Sequence, residues 1–533
     1  MSLSLPPLGP APADKAPGAR VLSRRMVREL ARIYLSASAF QAALEALAPL
    51  GPIRAEDRDE EAKLVCAEAL IGLGRVPEAE ALLGAPMLPE VPSADAEPAA
   101  VRDGNAVLPR VAPGQKPYNP GRSERIALWR FLLQMRILHR TGRYRFVLGL
   151  GRAFFLSRQL TPNILLARIA SVVAQSMLAL RQPREARALY EEVLELYRGL
   201  RSAEGQADAL LGMANTQLVD CHWDQADALY QEARFRYEEM GQSDKALACL
   251  INLGVLRGKR GDLPGGRALL LQAMGRAAQI GDERRVASLN LGLAMIEIRS
   301  GDFNSARRRL LTVLRNARKT QSLRNRALAL EFLGSMYLHL RRLGRARRCL
   351  HLGCRIAREI APEGDIYFEI RRLQAELALA ERSLAEARIL ALESQNLARE
   401  FGDEYEAAVA DRVLAEVETA EGQIDAARER ASEARKVLRR LGETYEKARL
   451  DLLQLRLDLR SSGLPAGRIR ERLEDACRPF TGLPDAPVVR EARRILSGGG
   501  WNVSAAARSL GVSRSTLRRS LTSRDWFHPV SRG

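Results

Sequence analysis

Large aromatic side chains are scarce in this sequence: Phe, Trp and Tyr make up 5% of 533 residues, whereas apolar residues together reach 46%. That balance excludes a few ring-filled cores and suits many small helix–helix contacts between Ala and Leu. Lysine is scarcer still, eight of 83 basic residues. Arg dominates a chain also rich in Ala and Gly, as in proteins of GC-rich genomes, so the net charge of +19 says less than its distribution. The six cysteines lack CxxC spacing, which excludes a disulfide framework and points to a reducing compartment. Cys349-x-His351-x-x-Cys354 would point in different directions on a helix and lacks a fourth ligand, so no metal or other cofactor is expected. No apolar run approaches the ~20 residues of a membrane span. The proline-broken start, residues 1–20, reads as a disordered tail rather than a signal peptide, and a soluble, cytoplasmic chain is expected. No GxxxxGK[ST] phosphate loop occurs. The five histidines are isolated and no nucleophile motif appears, so an enzyme is not expected.

What is present is a repeat. Small residues recur at Ala174, Ala214, Gly254, Ala294, Gly334, Ala375 and Ala415, spaced 40 or 41 apart. Twelve residues after each stands a second small residue: Ala186, Ala226, Gly266, Ala306, Ala346, Ala387 and Ala427. Four further on, the first five units carry a large side chain: Tyr190, Tyr230, Leu270, Leu310 and Leu350. Turns between and after the markers are often glycine-led, as at Gly261-Asp262, Gly301-Asp302, Gly402-Asp403 and Gly442. Each unit therefore reads as helix, turn, helix, turn: Gly takes the left-handed residue that ends a helix, and Asp caps the next. Small residues let two helices approach, and the large one fills the groove between neighbours. Such units bury their faces by stacking on one another.

The pattern resembles tetratricopeptide repeats, with a 40-residue unit in place of the common 34. The fold class expected is all-α: a tetratricopeptide-like helical-hairpin solenoid plus a small C-terminal helix-turn-helix domain. Weaker markers upstream (Met135/Val147, Ala67/Ala79, Ala31/Ala43) bring the array to about ten helix pairs. The expected organisation is helix pairs at 21–83, a Pro-rich linker at 84–123, a solenoid with a capping helix at 124–460, a linker at 461–486 and the helix-turn-helix domain at 487–533. The linker at 84–123 contains eight prolines and could set the first two pairs apart as a lobe. The resemblance implies that first helices line a concave groove for a protein or peptide. By position its candidates include Ile251, Val255, Lys259, Leu291, Met295, Arg299, Glu331, Ser335 and His339.

Charge is concentrated at 301–358, where fifteen Arg/Lys face two acids. Arg307, Arg308, Arg309, Arg345, Arg347 and Arg348 begin second helices, on the side expected to face outward. They form either a dock for a polyanion (DNA phosphate or an acidic partner) or a solvated, Arg-biased face.

The chain closes with a different texture. Pro487 to Leu496 reads as a short helix, ended by Gly498-Gly499-Gly500. Asn502 or Ser504 can cap a second helix, Gly511 permits a left-handed turn, and Ser513 caps a third helix with Leu517 and Leu521 inward. A helix of this kind fits the major groove, where Arg can bond guanine bidentately. The run Asn502-Val-Ser-x-Ala506-Ala507-Arg508-x-Leu510-Gly511-Val-Ser-Arg514-Ser-Thr516-Leu517-x-Arg519-x-Leu521 resembles the Fis-type DNA-binding domain. The resemblance implies that Arg514, Thr516, Arg518 and Arg519, with Ser513 beside them, contact bases or phosphates of double-stranded DNA. Trp501 is an insertion against the family pattern. Fis-type domains act as dimers, so a homodimer is expected, its contact coming from the repeats or from the helix at 488–496. These features together suggest a bacterial, sequence-specific transcriptional regulator. The alternative is a protein-interaction adaptor whose helix-turn-helix contacts protein.

Overall fold

The computed structural model describes residues 23–36, 40–84, 108–109, 111, 118–156, 161–180, 182–279, 283–361, 364–461 and 466–496. Among these the regular structure is entirely helical. The helices run α1 (Arg24–Ser36), α2 (Phe40–Leu47), α3 (Glu60–Gly72), α4 (Val76–Leu83), α5 (Arg122–Arg140), α6 (Tyr144–Leu156), α7 (Ile164–Ala179) and α8 (Pro183–Gly199). They continue as α9 (Ala203–Val219), α10 (Trp223–Glu239), α11 (Ser243–Arg260), α12 (Leu263–Gln279), α13 (Glu283–Ser300), α14 (Phe303–Lys319), α15 (Leu323–His339) and α16 (Leu343–Ile360). The last are α17 (Asp365–Ala380), α18 (Leu384–Glu400), α19 (Glu404–Glu421), α20 (Ile424–Arg440), α21 (Tyr445–Ser461), α22 (Ala466–Cys477) and α23 (Pro487–Leu496). The first twenty form ten antiparallel pairs, each packed on the next, as in a tetratricopeptide solenoid.

The small residues of the 40-residue pattern sit where the helices cross. Ala174, Ala214, Ala294, Ala375 and Ala415 are fully buried, as are their partners Ala186, Ala226, Ala306, Ala346, Ala387 and Ala427. A Cβ on Gly334 would lie 2.4 Å from Leu350 Cδ2, and one on Gly266 would lie 2.8 Å from the Gly254 carbonyl oxygen. These positions are small because a neighbouring helix occupies the side chain's place. Caps follow the sequence as well: Asp302 accepts a hydrogen bond from the Ser305 amide at 3.1 Å, and Asp403 one from the Glu406 amide at 2.9 Å.

Three expectations change. Residues 461–486, read as a linker, contain α22, whose Ile469, Leu473 and Ala476 are buried against α21 and α23 together with Phe480. Pro479 lies in a one-turn 3-10 helix and Pro487 in the first turn of α23, places where a missing amide hydrogen costs little. The capping element is thus three helices. Its α23, expected within the DNA-binding domain and as a possible dimer contact, buries Val488, Val489, Ala492 and Ile495 against the array. That face is consumed within the chain. The first two pairs are likewise continuous with the stack, because α5 packs on α3 and α4. Trp129 Nε1 donates to Glu68 at 2.8 Å, and Arg136 pairs with Glu68 at 3.0 Å.

The array also touches itself between winds. The Thr444 amide and hydroxyl donate to the Arg260 carbonyl, 184 residues away, at 3.2 and 3.0 Å. The Cys221 thiol donates to Asp403 at 3.6 Å across 182 residues, and the Trp223 and Tyr405 rings lie 5.6 Å apart. Gly301 lies so close to residues 485–486 that a Cβ would meet the Asp485 carbonyl oxygen at 2.0 Å. These separations correspond to between four and five repeat units. The coil therefore closes on itself in that interval, and the loops of one wind rest on those of the next.

Candidate DNA-binding segment and the inner face of the array

Successive first helices pack on one another, as α11 on α13, α13 on α15 and α15 on α17; successive second helices do so less. The first helices therefore form the inner, concave wall. From α1 to α19 this wall borders an open cavity of about 1210 Å³. Val255, Lys259 and Met295 line it, as the repeat position suggests. The wall mixes apolar side chains with polar ones that are largely paired with each other. Asn252 donates to Asn215 at 3.0 Å, and Tyr230 donates to the same Asn215 oxygen at 2.7 Å. Lys245 pairs with Glu204 at 2.6 Å and Asp208 at 2.9 Å. Burial opposes ionisation of Glu204, but Lys245 outweighs it and lowers the carboxyl below its usual range.

The other groove candidates fall differently. Ile251 and Leu291 are buried, with Leu291 still contributing to the cavity wall. Ser335 is half-buried and outside the cavity lining. Arg299 is no groove residue: its guanidinium donates to the carbonyl oxygens of Gly258 and Lys259 at 3.1 and 3.0 Å, to Glu443 at 3.2 Å and to the Tyr405 hydroxyl at 3.0 Å. His339 faces the Tyr445 hydroxyl at 3.4 Å. Burial, and then Arg449 nearby, lower its pKa to about 4. Glu331 is buried too, and burial together with Glu369 raises its carboxyl well above the ordinary range.

Arg299 and His339 belong to an ionic core between the later first helices. Arg412, fully buried, bonds Glu446 and Glu416 at 2.7 Å and Glu376 at 2.6 Å. Arg372 bonds Glu376 at 3.1 Å and Glu406 at 2.9 Å, and Arg449 reaches Glu376 at 3.2 Å. Burial disfavours the charge on Glu446, yet Arg449 and Arg412 more than compensate, bringing it down to about 2. Glu443 goes the other way: burial raises it to about 7 despite Arg299. The inner face toward the C-terminal end is thus filled by the chain's own charges. A sequence signal for this existed: Arg372/Arg412, Glu376/Glu416, Glu406/Glu446 and Tyr405/Tyr445 all repeat at 40 residues.

The basic residues at 301–358 divide. Arg309 pairs with Glu297 at 2.7 Å and Arg347 with Glu381 at 2.7 Å. Arg307, Arg308, Arg345 and Arg348 are exposed, and none has an ion-pairing carboxylate among the described residues. The proposed DNA contacts Ser513, Arg514, Thr516, Arg518 and Arg519, and Trp501, lie outside the described residues.

The architecture defines a class: a tetratricopeptide-like helical-hairpin array. Among solved structures, the chain is similar to the Rap protein complexed with competence and sporulation factor, at 12% identity and TM-score 0.48, over 71% of this chain and 98% of that one. It is also similar to the Cut9–Hcn1 hetero-tetramer of APC/C (12%, 0.35, 88% and 96%) and to yeast Tom70 (12%, 0.34, 92% and 95%). No curated protein matches the chain. What distinguishes it within the class is its end: residues 496–522 match the family described as bacterial regulatory protein, Fis family. The chain joins a tetratricopeptide-like array to a Fis-type helix-turn-helix sequence.

Proposed function

We propose that this protein is a sequence-specific, DNA-binding regulator of transcription acting in the bacterial cytoplasm, without catalytic activity or a cofactor. The observation that carries the reading is the Fis-family match at 496–522, within which Ser513, Arg514, Thr516, Arg518 and Arg519 occupy the proposed reading helix. The array supplies the input: its inner cavity receives a protein or peptide segment, with Val255, Lys259 and Met295 among the contacts. Its mixed lining of paired polar groups and apolar side chains suits a peptide backbone and its side chains better than a small apolar metabolite. A second copy of the chain would align two reading helices about one DNA turn, ~34 Å, apart.

Selection of duplexes from a randomised library by the full chain, followed by binding measurements, tests the reading. A consensus should emerge, and Arg514→Ala should cost about 1–3 kcal/mol at one base position. Full-length protein that enriches no sequence would instead leave an adaptor whose tail contacts protein.

A further inference from the structure

The outer face of the array carries a charge pattern that helix stability does not account for. Among second helices, α8, α10, α18 and α20 each place an acid in the first turn: Glu185, Asp224, Glu386 and Asp425. This complements the positive N-terminal end of the helix dipole. Neither α14 nor α16 does, nor do α2, α6 and α12, but α14 and α16 carry clusters of exposed arginines at that end. Arg307 and Arg308 stand in the second turn of α14, and Arg345 and Arg348 in the first and second turns of α16, with Arg341 and Arg342 in the preceding turn, all exposed. Of these, Arg341, Arg342 and Arg345 lie at the positive end of a helix dipole. Among the described residues all six also lack the carboxylate partners found on later second helices, such as Arg428 with Asp458 at 3.2 Å and Arg430 with Glu418 at 2.9 Å. The acids nearby among the described residues are few: Asp302 caps α14, Glu381 pairs with Arg347 at 2.7 Å, Glu359 lies at the far end of α16, and Asp485 pairs with Arg490 at 3.3 Å.

Position gives this face its meaning. Helices alternate in direction, so α14 and α16 begin on the same edge of the array. Residues 485–490 dock on that edge: Asp485 and Ala486 lie on Gly301, and the Arg490 guanidinium stacks 5.1 Å above the Phe303 ring, the first residue of α14. Helix α23 is held there by its buried Val488, Val489, Ala492 and Ile495 and by the Glu491 bond to Arg456 at 3.1 Å. Its last residue, Leu496, is the first residue of the Fis-family match. From Arg490 to Leu496 is six helical residues, about 9 Å. The array thus hands over to the Fis-family segment on the edge where these arginines stand. Arg308 bonds the Ser305 hydroxyl at 2.9 Å and Arg345 lies 5.8 Å from the Tyr337 ring, and none of Arg307, Arg308, Arg345 and Arg348 has an ion-pairing carboxylate among the described residues.

We propose that the N-terminal ends of α14 and α16 form a phosphate-binding shelf for duplex DNA flanking the site held by residues 496–522. The proposal rests on the DNA-binding reading above. The shelf reads no sequence: Arg307, Arg308, Arg345 and Arg348 meet backbone phosphates and displace counterions, adding affinity and fixing how the array sits on the duplex.

The test uses the full chain and a selected site in two duplexes, one limited to the site and one extended by about two helical turns on each side. Affinity is measured by fluorescence anisotropy across a salt series. The wild type should bind the long duplex at least about tenfold more tightly near 100 mM salt. The slope of log K against log salt should be steeper by about 0.9 per added phosphate contact, up to about 4 for four arginines. Combining Arg307→Gln, Arg308→Gln, Arg345→Gln and Arg348→Gln should abolish that advantage and leave the short duplex bound as before. A charge-matched control on the far ends of the same helices (Arg315→Gln, Arg318→Gln, Lys319→Gln and Arg355→Gln) should keep it. All eight positions are exposed, so both variants should melt like the wild type. Equal wild-type affinity for the two duplexes, an advantage that survives the first variant, or one equally lost in the control would each overturn the shelf. If the first variant instead loses only binding to an acidic protein, the face belongs to that partner and the shelf is overturned. Failure of the wild type to bind either duplex would sink the DNA-binding reading itself, whereas loss on both duplexes in Arg514→Ala alone would uphold it.

Discussion

Arg412 concentrates the physics of the array's later half in one side chain. It has no exposure and three carboxylate partners, Glu376, Glu416 and Glu446. Removing one member of a buried ionic cluster leaves uncompensated charge, at a cost of about 3–5 kcal/mol. Arg412→Met should show that loss in urea unfolding, and adding Glu446→Gln should recover part of it; full additivity of the two changes would contradict the cluster. His339 supplies a pH signature. Its folded pKa, about 4, lies below the usual 6.5, so the unfolded chain takes up the proton first. The stability it contributes is present above pH 6.5 and lost as pH falls toward 4. Glu446, brought down to about 2, extends the loss from 4.5 to 2, while Glu443, raised to about 7, acts in the opposite sense between 4.5 and 7. The melting temperature of His339→Gln should therefore fall less between pH 6.5 and 4 than that of the wild type; parallel curves would refute the assignment.

Element by element, the legible part of the fold was the part with a spatial rule. Gly254 and Gly334 are small because Leu270 and Leu350 press on them, and that constraint leaves a 40-residue imprint. Turns were legible only in part: Gly261, Gly301 and Gly402 take the left-handed conformation as expected, but Arg201, Cys221, Gln321, Arg341 and Arg382 adopt it too. Those residues carry no sequence mark, because packing of the flanking helices pins the backbone against its preference. Helix α22 was hidden by prolines at 465, 479, 484 and 487, although Ile469, Leu473 and Ala476 carry the helical spacing. Its place against α21 and α23 predicts a local failure. Phe480→Ala should cost about 3–5 kcal/mol. Hydrogen exchange should then show α22 and α23 losing protection while α5 to α18 keep theirs; uniform loss across the array would argue against a separable cap.

For the whole molecule, sequence periodicity defines each unit's neighbours along the chain and says nothing of units more than one place away. Arg299 and His339 therefore looked like groove residues. Their actual partners, Glu443, Tyr405 and Tyr445, come from 106 to 144 residues further along the chain. The Fis-type segment was legible for the opposite reason: its motif is local, with spacing set within one short stretch. The contacts between winds have a mechanical consequence. A helical-repeat array is ordinarily a spring, extended at little cost by small rotations between neighbours. Here Thr444 bonded to Arg260, Asp403 to Cys221 and Asp485 seated on Gly301 rivet one coil to the next. Such a coil behaves as a stiff tube: pulled at its ends it should yield in a few large ruptures rather than stretch, and a chain threading the bore would enter along the axis rather than between the coils.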